Sequence, residues 1–136
     1  MAATRALHEC NGRYMTLPCF GQVYVNLLEE MRTAEAHDIA LVRLEQISPF
    51  PYHAVQEHLQ RFARAQLVWC QEEPMNAGAW AYVKPRLQLA ARAMAPTPHD
   101  ARELSYVGRK PSAAPATGLA ELHKAELSEL LAEALR

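Results

Sequence analysis

Two adjacent carboxylates, Glu72 and Glu73, end the apolar run Leu67-Val68-Trp69-Cys70-Gln71 and are followed by Pro74, Asn76, Gly78 and Trp80. Adjacent carboxylates can act as general acid and base when burial separates their pKa values. They can also anchor a cation. The second candidate group is Arg109-Lys110, two basic residues able to hold a phosphate or to pair with those acids. Glu45 and Gln71 complete the polar set, each standing at the end of an apolar run. An ion pair from Glu72 or Glu73 to Arg109 would tie two loops together, and such pairs are more often scaffolding than catalysis. Cys70 is a thiol inside an apolar run, where it is usually inert. No GxSxG elbow, HExxH, GxGxxG or GxxxxGK[ST] occurs, and the six histidines (8, 37, 53, 58, 99 and 123) show no ligand spacing, so they are read as surface residues. Gly21, placed before a helix, could offer free amides to an anion.

The composition limits what these groups can serve. The 136 residues fit one domain with a core of its own. Half are hydrophobic and 21% are charged, which is globular rather than disordered. Fourteen basic and 15 acidic side chains leave a net charge of -1, too little for a basic field that holds nucleic acid or an anionic membrane. No apolar run reaches the ~18 residues of a transmembrane helix. Cys10, Cys19 and Cys70 are odd in number and far apart, which favours free thiols in a reducing compartment.

The elements that must position the polar groups follow from hydrophobic spacing. Tyr14 to Phe20 reads as a strand. Gln22 to Ala36 reads as a helix with Val23, Leu27, Leu28, Met31 and Ala34 at helical spacing. Ile39 to Leu44 is a second strand, and Ser48-Pro49-Phe50-Pro51 a loop. Val55, Leu59 and Phe62 mark a short helix, Leu67 to Gln71 a third strand, and Trp80 to Ala93 a helix with Pro85 near its start. Ala95 to Arg102 is a connector, Leu104 to Val107 a fourth strand, and 109 to 118 a loop. The tail is a helix on Leu127, Leu130, Leu131 and Ala134. Strand and helix alternate four times, which predicts an α/β fold with a mostly parallel sheet and helices on both faces. Ligands of such sheets sit at the carboxyl ends of the strands. Gly21-Gln22, Glu45-Gln46, Gln71-Glu72-Glu73 and Arg109-Lys110 are all placed there. Trp69, Trp80 and Tyr82 are large groups read as core and helix-packing residues. Residues 1–13 are expected to be an unstructured or divergent leader, and 14–136 the domain.

Three segments carry a family resemblance. Val42-Arg43-Leu44-Glu45-Gln46-Ile47-Ser48-Pro49-Phe50-Pro51 resembles the end of the second strand in the C-terminal domain of the first, decarboxylating component of 2-oxoglutarate dehydrogenase. Trp69-Cys70-Gln71-Glu72-Glu73-Pro74, with Asn76 and Gly78, resembles that domain's next strand and loop. Tyr106-Val107-Gly108-Arg109-Lys110-Pro111-Ser112-Ala113-Ala114-Pro115-Ala116-Thr117-Gly118 resembles its last motif. The likeness runs from about Arg13 to Arg136. Cys19-Phe20-Gly21-Gln22 departs from the pattern, which has a small serine before the glycine.

The resemblance implies a transketolase C-terminal-like three-layer sandwich. It implies a structural and regulatory domain of an enzyme that oxidatively decarboxylates 2-oxoglutarate and passes a succinyl group to a lipoyl-bearing succinyltransferase complex. The thiamine diphosphate and magnesium of that parent belong to earlier domains, so no catalytic, cofactor or metal residue is assigned here, and the isolated chain is expected to be inactive. The parent's catalytic domains and its homodimer mate are the implied partners. Some relatives bind acetyl-CoA against this domain, and by resemblance Arg109 and Lys110 would face its phosphates, with Phe20 crowding the neighbouring loop. A 2-oxoadipate dehydrogenase domain and a stand-alone docking module are the alternatives, and a gene fragment is as compatible with these residues as a free-standing protein. The plant-type wording of the last motif implies the mitochondrial matrix; a bacterial parent would be cytoplasmic.

Overall fold

The computed structural model describes residues 4–6, 14–18 and 22–135. Its strands are β1 (Thr4–Ala6), β2 (Tyr14–Pro18), β3 (Ile39–Leu44), β4 (Gln66–Gln71) and β5 (Leu104–Gly108). Its helices are α1 (Gln22–Thr33), α2 (Tyr52–Arg61), α3 (Trp80–Met94) and α4 (Ala120–Ala134), with a short 3-10 turn at Pro98–Asp100. The four expected strand–helix units are present. α1 ends three residues earlier than its apolar spacing suggested. There the chain turns through Glu35 at φ 50, and the amide of Ala36 returns to the Met31 carbonyl at 3.0 Å. That left-handed residue and its back-directed bond close a helix of this kind.

The sheet runs in the order β1-β3-β2-β4-β5. β2 pairs in parallel with β3 on one side and with β4 on the other, and β4 pairs in parallel with β5. The chain therefore moves outward from β2 to β3, then crosses back over β2 to reach β4. Right-handed crossovers in opposite directions put α1 and α2 on opposite faces. β1 is antiparallel to β3, with Thr4 opposite Leu44 and Ala6 opposite Val42. Thr4–Ala6 is thus a paired strand within the segment 1–13 expected to be an unstructured or divergent leader, because the outer edge of β3 offers backbone groups that a short strand can pair. The rest of that leader lies outside the described residues, as do Cys10, Cys19, Phe20 and Gly21.

Alternation along the strands builds two cores. Ala40, Val42, Leu44, Leu67 and Trp69 face α2 and α3, meeting Val55, Leu59, Val83, Leu87 and Ala91. Ile39, Leu41, Val68, Cys70 and Val107 face α1 and α4, meeting Val23, Leu27, Met31, Leu130 and Ala134. This is a three-layer sandwich. β3 and β4 are buried on both faces, which is why their sequences run apolar with little alternation. The parallel register brings Pro18, Gln71 and Gly108 to one edge, the carboxyl edge of the sheet.

Candidate functional site

Gln71 organises that edge. It closes β4, is fully buried, and is the one polar side chain among the buried residues described. Its Oε1 accepts the Trp69 indole N–H and the Trp80 backbone N–H, both at 3.0 Å. Its Nε2 donates to the carbonyls of Pro74 at 3.0 Å and Glu73 at 3.2 Å. A primary amide has two donors and two acceptor sites, so every one is used. Trp80 is the first residue of α3, and Ala79 before it supplies no side-chain cap. Gln71 does that work from the neighbouring strand, satisfying an amide that the helix itself leaves without a partner. Gly78 makes room for it: a Cβ there would lie within 2.7 Å of all three outer atoms of the Gln71 amide.

The next loop is sewn onto this one. Gly108 pairs with Gln71 in the β4–β5 ladder, and a Cβ at 108 would come 2.6 Å from the Gln71 carbonyl oxygen. The Tyr106 hydroxyl sits between the carbonyls of Arg109 at 3.0 Å and Glu73 at 3.3 Å, and its ring tilts against Trp80 with centroids 5.1 Å apart. Burial pushes its phenol up to about 12. The amide of Met75 donates to the Arg109 carbonyl at 3.1 Å. Asn76 and Ser112 exchange two bonds, each 3.0 Å: the Asn76 amide donates to the Ser112 carbonyl and accepts from the Ser112 N–H.

Charged residues lie outside this neutral lock. Arg109 places Nε 2.7 Å from Oε2 of Glu126 in α4, an ion pair off the line of the N–H, and its Nη1 donates to the Pro115 carbonyl at 3.3 Å. The same Glu126 oxygen accepts from the Thr117 hydroxyl at 3.3 Å. Arg109 therefore pairs with Glu126 instead of the expected Glu72 or Glu73. It closes the 109–118 loop onto the helix that follows. Glu72 meets a different basic group, with Oε1 3.8 Å from His123 Nε2. Glu72, Glu73, Arg109 and His123 do line one cleft, with Pro115 to Thr117. Glu45 is held by its neighbour Arg43, whose guanidinium also lies 4.9 Å from the Tyr24 ring.

The two cations expected at a phosphate are not equivalent. The Arg109 side chain is 12% exposed and committed to Glu126, so Lys110 alone of the pair projects to solvent. The cleft beside them, about 440 Å³, is walled by Glu126, Glu129 and Glu133. On the opposite face from Gln71, burial pushes the Cys70 thiol up to about 12, with Glu133 acting in the same direction, and the thiol stays protonated.

A family model described as 2-oxoglutarate dehydrogenase C-terminal matches residues 10–135. The chain belongs to the 2-oxoglutarate dehydrogenase C-terminal family. It is 42% identical over 117 residues to the 2-oxoglutarate dehydrogenase E1 component of Brucella anthropi, covering 86% of this chain and 11% of that protein. It is 39% identical over 117 residues to the probable 2-oxoadipate dehydrogenase complex component E1 homolog of Dictyostelium discoideum, covering 85% of this chain and 12% of that protein. The chain thus spans about a ninth of the length of these relatives. Among solved structures, a split gene transketolase described as an inactive beta4 tetramer superposes with a TM-score of 0.57 at 17% identity, over 96% of this chain and 39% of that one. That likeness fixes the transketolase-like fold expected from the resemblance.

Of the two residues that hold the fold's ends, sequence reasoning named Gln71 and missed Arg102. Arg102, in the connector before β5, donates from Nη2 to the Leu59 carbonyl at 2.9 Å and from Nη1 to those of Phe62 at 2.7 Å and Ala65 at 3.2 Å. It closes the end of α2 from about forty residues away. Its one sequence signal is an arginine just before a strand. Gln71 had a stronger one: an amide at the end of a buried apolar run, followed by the proline and glycine of a tight loop.

Proposed function

We propose that this chain is the C-terminal domain of the decarboxylating component of a 2-oxoglutarate dehydrogenase, with a structural and regulatory part in it. The observation that carries this reading is the family match over residues 10–135. The parent would oxidatively decarboxylate 2-oxoglutarate and hand a succinyl group to the lipoyl-bearing succinyltransferase of its complex. The thiamine diphosphate and magnesium of that chemistry do not fit the residues described here. The space beside Gly78 and Gly108 is filled by the Gln71 amide and the Tyr106 hydroxyl, which leaves no cradle for a diphosphate there. The polar edge holds loops in place, and its contribution is a rigid surface for the domains that precede it in the relatives.

A chimera tests this. The Brucella anthropi component loses its own matching 117 residues and receives this chain. Reconstituted with its complex, it should reduce NAD with 2-oxoglutarate, whereas the truncated component should not. An inactive chimera that is folded and dimeric would overturn the reading.

A further inference from the structure

The last helix is held differently from the other three. α4 buries only Leu130 and Ala134 of its 15 residues, against five of 15 in α3 and four of 12 in α1. α2 buries two of its ten, but Arg102 ties its end to the connector through three carbonyls. α4 starts behind an exposed Leu119 that supplies no side-chain cap. Its last turn carries Glu133 and no base, where the end of a helix favours a cation. Glu129 and Glu133 stand four positions apart, like charges on one face. A helix of this length is marginal without tertiary support.

The segment that leads into α4 changes character at Ser112. Asn76 holds Ser112 by both of its backbone groups. After it, residues 113–116 and 118 are exposed, and a Cβ at Gly118 would meet open space. One residue spans that boundary. The Arg109 carbonyl belongs to the neutral lock, accepting from the Met75 amide and the Tyr106 hydroxyl. Its guanidinium reaches the other way, to the Pro115 carbonyl at 3.3 Å and to Glu126 of α4 at 2.7 Å. Thr117 meets the same Glu126 oxygen at 3.3 Å. A second link, from His123 to Glu72, is longer, at 3.8 Å, and its side chains are part-exposed. Beneath α4, Leu130 and Ala134 share their core with Val107 and the fully buried Cys70. Glu133 lies near enough to help hold that thiol protonated.

We propose that α4 is a latch. It lifts as one unit about residues 113–118 while the sheet and the other helices stay folded, the Arg109–Glu126 pair is the bolt that keeps it shut, and its opening uncovers Cys70. Elements held by few buried contacts open in such cooperative units, at a lower free energy than the whole domain. A buried, protonated thiol is inert, whereas an exposed one reacts through its thiolate. Opening removes the cover over Cys70 and carries Glu133 away with it, so the latch decides whether Cys70 is a core residue or a reactive one. This goes beyond the family reading and does not depend on it.

Thiol labelling of the full chain carrying Cys10→Ser and Cys19→Ser, which leaves Cys70 as its one thiol, reads the opening. At low reagent concentration, the labelling rate divided by that of the unfolded chain gives the open fraction. Cys70 should label at least about tenfold faster than global unfolding of the same protein allows. The rate should hardly change over the first ~1 M urea, because a local opening exposes little surface. Glu126→Gln should speed labelling about tenfold, since the part-buried guanidinium then lacks its acid. Glu129→Gln with Glu133→Gln should slow it about two- to threefold by relieving the crowded carboxylates. Hydrogen exchange gives the independent reading: the amides of α4 should exchange together, with the open fraction that Cys70 reports, and those of α3 with the global one. Circular dichroism confirms that each variant is folded. Labelling that tracks global unfolding in every variant would overturn the proposal. So would fast labelling with α4 amides as protected as those of α3, or the two sets of acid substitutions acting in the same direction.

Discussion

The two ends of the sheet solve the same problem with opposite chemistry. At the carboxyl edge, a neutral amide from β4 supplies an acceptor to the first amide of α3. At the amino edge, a guanidinium from the connector supplies donors to the last carbonyls of α2. Gln71 stands in for the side-chain cap that Ala79 does not make at the start of α3, and Arg102 takes carbonyls at the end of α2, where Phe62 returns only its backbone N–H to His58. The difference is burial. Gln71 has no exposed surface, and a charge there would need a partner and full hydrogen bonding to be tolerated. Arg102 is only half-buried, so its charge keeps part of its hydration, and desolvation lowers its pKa without stripping the proton. The carboxyl edge is therefore a closed neutral network, whereas the amino edge is a charged clamp open to water.

The comparison predicts that the neutral end is the more costly to break. Gln71→Leu keeps the volume but strands the Trp69 indole N–H and the Trp80 amide in a dry site, whereas the Pro74 carbonyl keeps the Ala77 and Gly78 amides and the Glu73 carbonyl keeps the Tyr106 hydroxyl. At roughly 1–3 kcal/mol for each of the two buried donors left unpaired, the loss should be about 4 kcal/mol. Native domains hold only about 5–15 kcal/mol, so urea unfolding should show a large fall in the variant's midpoint. A loss under about 1 kcal/mol would mean that water reaches these groups and that the network is not closed.

Arg102→Ala should cost about 2 kcal/mol, the scale of hydrogen bonds from a charged donor, because the carbonyls it leaves can partly turn to solvent. Arg102→Lys should recover less than half of that, since an ammonium cannot span the three carbonyls that the guanidinium fork reaches. Equal costs for Gln71→Leu and Arg102→Ala in the same urea series would erase the distinction between the two ends.

These two residues also mark how far the sequence could be read. The alternation of strands and helices and the layers were legible because β3 and β4 are apolar on both faces and the helices keep their spacing. Gln71 was visible as an edge residue, since its apolar run and the following loop are local. Its four partners lie within nine positions in the chain, but the fold alone sets their directions. Arg102 was not visible, because its partners are 37–43 positions away and belong to another element. Arg109 was visible as an ion-pairing residue but was matched to the wrong acid. Glu72, Glu73 and Glu126 are equivalent as letters, and only the path of the 109–118 loop back to α4 selects Glu126. Thr4–Ala6 had neither length nor alternation to announce a strand.

Tyr106 tests the neutral end through pH. Its folded phenol stands near 12, against 10.0 for the ordinary side chain, because burial disfavours the phenolate. The folded state therefore holds the proton more tightly than the unfolded chain. That contribution is complete below pH 10 and is lost as pH climbs from 10 toward 12. The Cys70 thiol acts in the same direction from 9.0 toward about 12. Stability should be insensitive to these two groups at neutral pH and fall from about pH 9 upward. Tyr106→Phe should lose about 1 kcal/mol at neutral pH, from the hydroxyl's bonds to the Arg109 and Glu73 carbonyls. Its decline above pH 10 should be shallower, because only the thiol is left to titrate. Thermal unfolding of both proteins between pH 7 and 11 separates the effects, and parallel curves would show that the hydroxyl is not buried as described.

The smallest effect is expected at the residue next to the largest. Glu72 follows Gln71 directly, yet its contact with His123 spans 3.8 Å between side chains that are 37% and 43% exposed. An exposed pair at that distance is hydrated and screened, and His123 carries charge only when protonated. Glu72→Gln should therefore change stability by no more than about 0.5 kcal/mol, and added salt should remove even that. The loop it stands on is held by the Gln71 amide, the Asn76–Ser112 exchange and the Tyr106 hydroxyl, none of which uses a carboxylate. A loss above about 1 kcal/mol in urea unfolding would show that the carboxyl edge, like the amino edge, depends on charge. The two ends would then differ only in which helix terminus they serve.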